Sequence, residues 1–138
     1  MDVIAYDCDI ARLDFARVHG WLTETYWSPG ISRELVERGF QASTAVCGAY
    51  IREELVGVAR VVSDTTRFAY LADVYVDAAH RNRGIARGLV RTLVAHPLLA
   101  QVGTWLLRTR DAHGVYAPLG FARITDPERY MVWKRPAG

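Results

Sequence analysis

At 138 residues the chain can build one domain around one core, and is too short for two comfortable ones. Hydrophobic residues at 51% and charged residues at 23% describe a globular rather than a disordered chain, and a net charge of +2 disfavours a general polyanion binder. With no bilayer-length apolar run and no basic-then-apolar leader, the sequence reads as soluble, unexported and cytoplasmic, with no membrane partner.

In chain order, residues 3–6 are a short strand candidate. Residues 13–27 read as a helix with Leu13, Ala16, Arg17, Gly20, Trp21, Glu24 and Trp27 near one face, ended by Ser28-Pro29-Gly30. Ser32 precedes a second helix, residues 33–38, which Gly39 is expected to stop. Residues 44–50 and 55–62 are β-rich runs separated by Ile51-Arg52-Glu53-Glu54, a pattern suited to an antiparallel hairpin. A turn over 64–67 leads into a strand over 68–76. The next helix opens at Gly84 and carries an apolar stripe of Ile85, Ala86, Leu89, Val90, Leu93 and Val94, with Arg83, Arg87 and Arg91 on the opposite side. His96-Pro97 marks its end. A strand over 104–109, a short helix over 112–116 and two last strands over 121–124 and 130–133 complete the order β-α-α-β-β-β-α-β-α-β-β. Cys8 and Cys47 lie far apart without metal-ligand spacing, so two reduced thiols are expected, with neither a metal site nor a disulfide framework. The cations are sixteen arginines and one lysine, Lys134, a bias that genome composition alone explains outside residues 81–91.

The most informative stretch runs from Val74 to Ala86. An apolar strand ends there and a helix opens through Arg81-x-x-Gly84-x-Ala86. The first N–H groups of a helix are unpaired and its N-terminus carries partial positive charge, so it is a ready anion site. Gly84 lets backbone approach a diphosphate, Ala86 keeps the first turn uncrowded, and Arg81 and Arg83 add full charges.

This stretch resembles the signature of the GNAT superfamily of acyl-CoA-dependent N-acetyltransferases, Gln/Arg-x-x-Gly-x-Gly/Ala after the fourth strand. A second block, Thr109 to Tyr116 and then Gly120-Phe121, is similar to the family's fifth strand, fourth helix and following turn; together the two cover roughly residues 68–133. The resemblance implies a single α+β domain over residues 1–138, its mixed, mostly antiparallel sheet splayed between strands four and five and flanked by helices. It implies acetyl-CoA as cosubstrate: pantetheine along the backbone of Val74, Tyr75 and Val76, and pyrophosphate on Arg81, Asn82, Arg83, Gly84, Ile85, Ala86 and Arg87. Thr109 stands where many relatives carry an Asn that bonds pantetheine, and its hydroxyl can both donate and accept. Tyr116 matches the tyrosine that points at the cofactor sulfur, and a phenol of pKa about 10 can protonate a departing thiolate.

The base is less defined. Polyamine-acetylating relatives place a carboxylate nine residues before the motif arginine; here that position is Ala72, flanked by Asp73. Regular strand alternation puts Tyr70, Ala72 and Val74 on one face and Asp73 on the other, away from the acceptor, unless a bulge intervenes. Asp73 is then either a structural carboxylate or a base acting through water. His113, three residues before Tyr116, is read as a helix histidine or a proton relay, and His80 as a residue of the cofactor mouth. The acceptor pocket in this family is built from the first helices and middle strands, where Tyr26, Trp27, Pro29, Phe68 and Tyr70 are available to hold a small amine. Glu24, Glu34 and Glu37 read as solvated helix faces that can also attract an ammonium. The alternative functions are a non-catalytic CoA-binding sensor and, disfavoured by the net charge, a nucleic-acid binder using the arginine row. Many members of the superfamily are dimers, often through the C-terminal strands, so a homodimer is expected as a possible state.

Overall fold

The structure, a computed structural model, describes residues 2–137. A five-stranded sheet runs in the order β1 (Ala5–Asp7), β2 (Ala45–Ile51), β3 (Glu54–Ser63), β4 (Phe68–Val76), β5 (Thr104–Leu106). The first four strands are antiparallel neighbours and β5 joins β4 in parallel. All seven residues of β2 are buried. Helices α1 (Phe15–Leu22) and α2 (Arg33–Gln41) cover one face through Val18, Leu22, Val36 and Phe40, while α3 (Ile85–Val94) covers the other through Ile85, Leu89, Val90 and Leu93. A short helix α4 (His113–Tyr116) follows β5. The expected mixed sheet flanked by helices is therefore present. No helix among the described residues is long and apolar enough to cross a membrane.

Two hinges of this frame prepare the site. β4 and β5 pair only from Phe68↔Thr104 to Tyr70↔Leu106, after which β4 continues alone to Val76, and the sheet opens between them. On its other side β4 shifts register against β3 between Arg60↔Ala72 and Val58↔Tyr75, so two residues, Asp73 and Val74, stand against the single Ala59. Asp73 takes the extra residue at φ 53. Such a bulge reverses the facing of everything beyond it. The regular alternation expected for β4 is thus corrected: Val74 and Val76 pack with Leu71 on the α3 face, while Tyr70, Ala72, Asp73 and Tyr75 share the α1/α2 face.

Other boundaries differ from expectation for local reasons. The first helix ends at Leu22 rather than Trp27, because the Thr25 and Ser28 hydroxyls donate to the Leu22 carbonyl at 2.7 and 2.9 Å and draw the chain into a loop. α2 passes through Gly39 to Gln41, since Phe40 is buried against Phe15, edge to face at 5.9 Å, and anchors the last turn. The strand expected over 104–109 stops at Leu106, where pairing with β4 ends. The two strands expected over 121–124 and 130–133 do not form: among the described residues no neighbouring strand pairs with them, and the segment is irregular and mostly exposed apart from a 3₁₀ turn at Pro127–Arg129. Cys8 and Cys47 become neighbours, because the Asp7↔Gly48 register sets them across β1 and β2. Both are free thiols, and burial raises the pKa of each.

A candidate active site at the sheet opening

The opening between β4 and β5 is one end of a cleft of about 1200 Å³. Its walls are the end of α1 and the loop after it, β4 from Tyr70 to Val76, the start of α3, the chain after β5 from Leu107 to Ala112, and Val115 and Tyr116 of α4. The sequence places these groups there by three devices. The β4/β5 divergence leaves one edge of β4 unpaired, the bulge turns Asp73 and Tyr75 to the acceptor side, and hydroxyl capture of Leu22 frees the aromatic loop to reach over the opening.

At the α3 end the backbone is shaped for an anion. Asn82 and Gly84 both have left-handed φ, 65° and 75°, so the chain turns sharply into the helix. Nothing lies within 4 Å of the position a Cβ on Gly84 would take. The first N–H groups of α3 therefore face open space beside Arg87, which lines the cleft and has no ion-pair partner among the described residues. Arg81 donates from Nε to the Val76 carbonyl at 3.0 Å and lays its guanidinium 5.3 Å from the Tyr75 ring centre. Arg83 instead turns to Asp2, 3.3 Å away, and is not in the lining. His80 is held by Asp77 at 3.0 Å, and Asp77 is also paired with Arg17. An unfilled backbone cradle, a free arginine and an unpaired strand edge in one cleft fit a diphosphate joined to a long polar tail.

At the other end an aromatic loop crosses the opening. Trp27 donates from its indole nitrogen to Asp73 Oδ1 at 2.8 Å, on the β4 side. Tyr26 accepts at its hydroxyl from the Arg110 N–H at 3.1 Å, on the β5 side, and the Arg110 guanidinium stacks on its ring at 3.9 Å. The second oxygen of Asp73 accepts from Arg60 Nε at 2.7 Å. Both carboxylate oxygens are thus engaged, and this ion pair is largely buried. Glu24 stands exposed on the rim.

Between the two ends lies Tyr116. Its hydroxyl makes no hydrogen bond to the protein among the described residues, and its ring meets Phe121 edge to face at 6.0 Å. Burial, and then the neighbouring Tyr26, push its pKa up to about 12, so it carries its proton throughout the neutral range. Thr109 lines the same wall, its hydroxyl oxygen accepting from the Ala112 N–H at 2.9 Å.

Of the residues singled out in the sequence, the cleft brings together Tyr26, Trp27, Tyr70, Asp73, Val74, Tyr75, Val76, Arg81, Asn82, Gly84, Ile85, Ala86, Arg87, Thr109 and Tyr116. It does not include Arg83, Phe68 or His113; Phe68 sits where β4 and β5 still pair, and His113 is exposed. Sequence reasoning missed Trp21, stacked on Tyr75 at 5.3 Å, and Arg60, Arg108 and Arg110. Arg60 had a signal, a lone charge inside the apolar run of β3; Arg108 and Arg110 had none.

The model of the acetyltransferase (GNAT) family matches residues 9–121. Among solved structures, a protein of Xanthomonas campestris pv. campestris assigned to the same family is 36% identical, with a TM-score of 0.90 over 99% of this chain and 96% of that one. A predicted acetyltransferase of Clostridium acetobutylicum, solved with acetyl-CoA, is 15% identical with a TM-score of 0.71, each chain covered to 96%. An aminoglycoside acetyltransferase from an uncultured soil metagenomic sample is 17% identical with a TM-score of 0.69, over 100% of this chain and 99% of that one. At such identities the last two share the fold alone. No curated protein matches the chain.

Proposed function

The chain belongs to the GNAT family of acetyltransferases, and from that premise we propose that it transfers acetyl from acetyl-CoA directly to a primary amine of a small molecule. The observation that carries this reading is one cleft joining the open backbone at Gly84, the unpaired edge of β4 and the unbonded Tyr116 hydroxyl. Acetyl-CoA supplies a thioester, an acetyl group already activated toward an amine.

The residues divide the work. The first N–H groups of α3, with Arg81 and Arg87, hold the diphosphate, and the backbone of Val74 with the Val76 N–H holds the amide chain behind it, the Val76 carbonyl being taken by Arg81. The Thr109 hydroxyl still has a proton to donate into the cleft. Tyr116 Oη keeps its proton until a thiolate departs beside it, and is the general acid. Tyr26, Trp27 and Tyr70 wall the acceptor side, where aromatic faces favour an amine in either protonation state. Asp73, fully engaged by Trp27 and Arg60, is a positioning residue: it fixes the aromatic wall against β4. The amine loses its proton to water in the open cleft, without a dedicated base.

Calorimetric titration with acetyl-CoA, followed by thiol release over polyamines, amino acids, arylamines and peptides, tests this. Micromolar binding with thiol release for one small-amine class is the expected result. Binding without turnover on any amine would turn the protein into a CoA-responsive sensor, and no binding would remove the anion cradle from the reading.

A further inference from the structure

We infer that the amine acceptor carries a carboxylate, a free amino acid in chemical class, and that Arg108 and the Nη2 group of Arg60 hold that carboxylate beside Ala72. The inference rests on the acetyl-transfer reading and names the substrate class of the same cleft.

The acceptor end of the cleft is floored by a row of residues across the sheet. Arg60 of β3 stands directly opposite Ala72 of β4, and directly opposed residues share a face. On the other side of β4 the last pair is Tyr70↔Leu106. Trp105 and Leu107 pack into the α3-side core with Ala69 and Leu71. Alternation then leaves Arg108 on the α1/α2 face, with Tyr70 and Ala72. Arg60, Tyr70, Ala72 and Arg108 all line the cleft. Ala72 contributes only a methyl group, and the charged side chain on either side of it is an arginine.

The charges at this end are equal in number but unequally engaged. Arg60, Arg108 and Arg110 are accompanied by Glu24, Asp73 and Asp111. Asp73 gives one oxygen to Trp27 and the other to Arg60 Nε. Asp111 lies 3.6 Å from Arg110, both of them exposed. Glu24 stands exposed on the rim. Arg108 has no ion-pair partner among the described residues. Arg60 uses Nε on Asp73 and Nη1 on Ser43 Oγ at 3.4 Å, which leaves Nη2 without a hydrogen bond among those residues. The row therefore presents two arginines against one saturated carboxylate, a single net positive charge.

A carboxylate matches that charge, and its paired oxygens suit guanidinium donors. A phosphate ester carries nearly two negative charges at neutral pH and overfills the site. A diamine would set its second ammonium against the arginines, with only the rim Glu24 to offset the repulsion. The aromatic wall of Tyr26, Trp27 and Tyr70 suits an apolar side chain on the same molecule.

The test is thiol release with glycine, leucine, methionine and phenylalanine, each as free acid and as carboxamide, beside 1,4-diaminobutane and phosphoethanolamine. The amine of a carboxamide deprotonates more readily, so intrinsic reactivity favours the amide. At least one acid is nonetheless expected to exceed its amide about ten-fold or more in kcat/KM, the usual worth of a hydrogen bond to a charged group. Arg108→Gln is expected to erase that ratio through KM, and Arg108→Lys to keep most of it. Arg38→Gln, exposed on α2 outside the cleft, should leave the ratio intact. Calorimetric titration of each acid into the CoA-loaded chain reads the same site without turnover, and Arg108→Gln should weaken the binding about ten-fold. Amides that react as well as the acids, or a ratio that survives Arg108→Gln, overturn the inference and keep the transferase. The diamine or phosphoethanolamine as the best acceptor does the same. If no amine releases thiol, the transfer reading falls, and the inference falls with it unless calorimetry shows Arg108-dependent binding of an acid.

Discussion

Tyr116 and Asp73 are the two titratable residues on which the proposed chemistry of the cleft turns, and their surroundings differ. Tyr116 is half-buried with a hydroxyl that makes no hydrogen bond among the described residues, and its loss of water contact keeps it protonated. Tyr116→Phe is expected to lower kcat on the order of 100-fold, the usual worth of a positioned acid, while acetyl-CoA affinity by calorimetry stays within a few fold. Because burial raises this pKa to about 12, its own loss of a proton lies beyond the working range. The kcat/KM profile should accordingly climb with pH as the amine deprotonates, with no descending limb below about pH 10, the ordinary tyrosine value. A limb near pH 9 would remove Tyr116 from the acid role. Asp73 is bound at both oxygens by Trp27 and Arg60. Asp73→Asn is expected to cost about 1–3 kcal/mol of stability in denaturant unfolding, since the Arg60 hydrogen bond loses its charged acceptor. The ascending limb of the pH profile should keep its position. Its disappearance would make Asp73 the base.

At the scale of elements, the junction from β4 into α3 is the proposed seat of the cosubstrate. β4 was readable to the residue, 68–76, because a run of aromatic and β-branched residues is bounded by a turn at one end and Asp77 at the other. Its bulge was not readable. Periodicity assumes an unbroken pleat, and the extra residue at Asp73 is held by partners from β3 and from the loop after α1, both distant in sequence. The entry to α3 was readable from Gly84, whose φ of 75° is one that other residues rarely adopt. Gly84→Val is expected to weaken acetyl-CoA binding by more than about ten-fold, through the branched side chain in the backbone cradle, and to cost about 1–3 kcal/mol through the strained φ. Calorimetry and thermal unfolding read the two effects separately. Unchanged affinity in a folded variant would contradict the cradle.

For the molecule as a whole, the site is a product of divergence: β4 and β5 separate after three paired residues, and α1, α3 and α4 each send residues into the gap.

The sequence alone determined what local chemistry governs: the core-facing Ile85, Leu89, Val90 and Leu93 of α3 and the helix opening at Gly84. These follow from periodicity and the steric demands of single residues, which act over a few positions along the chain, while the Tyr116 block was legible through its resemblance to the family. Tertiary structure alone decided the facing of Asp73, the reach of Tyr26 and Trp27 across the opening, the cleft-lining Arg60 and Arg110, and the fate of residues 121–133. A side chain's facing beyond a bulge depends on the partner strand. A β-prone segment becomes a strand only where an open edge receives it, and among the described residues no strand does.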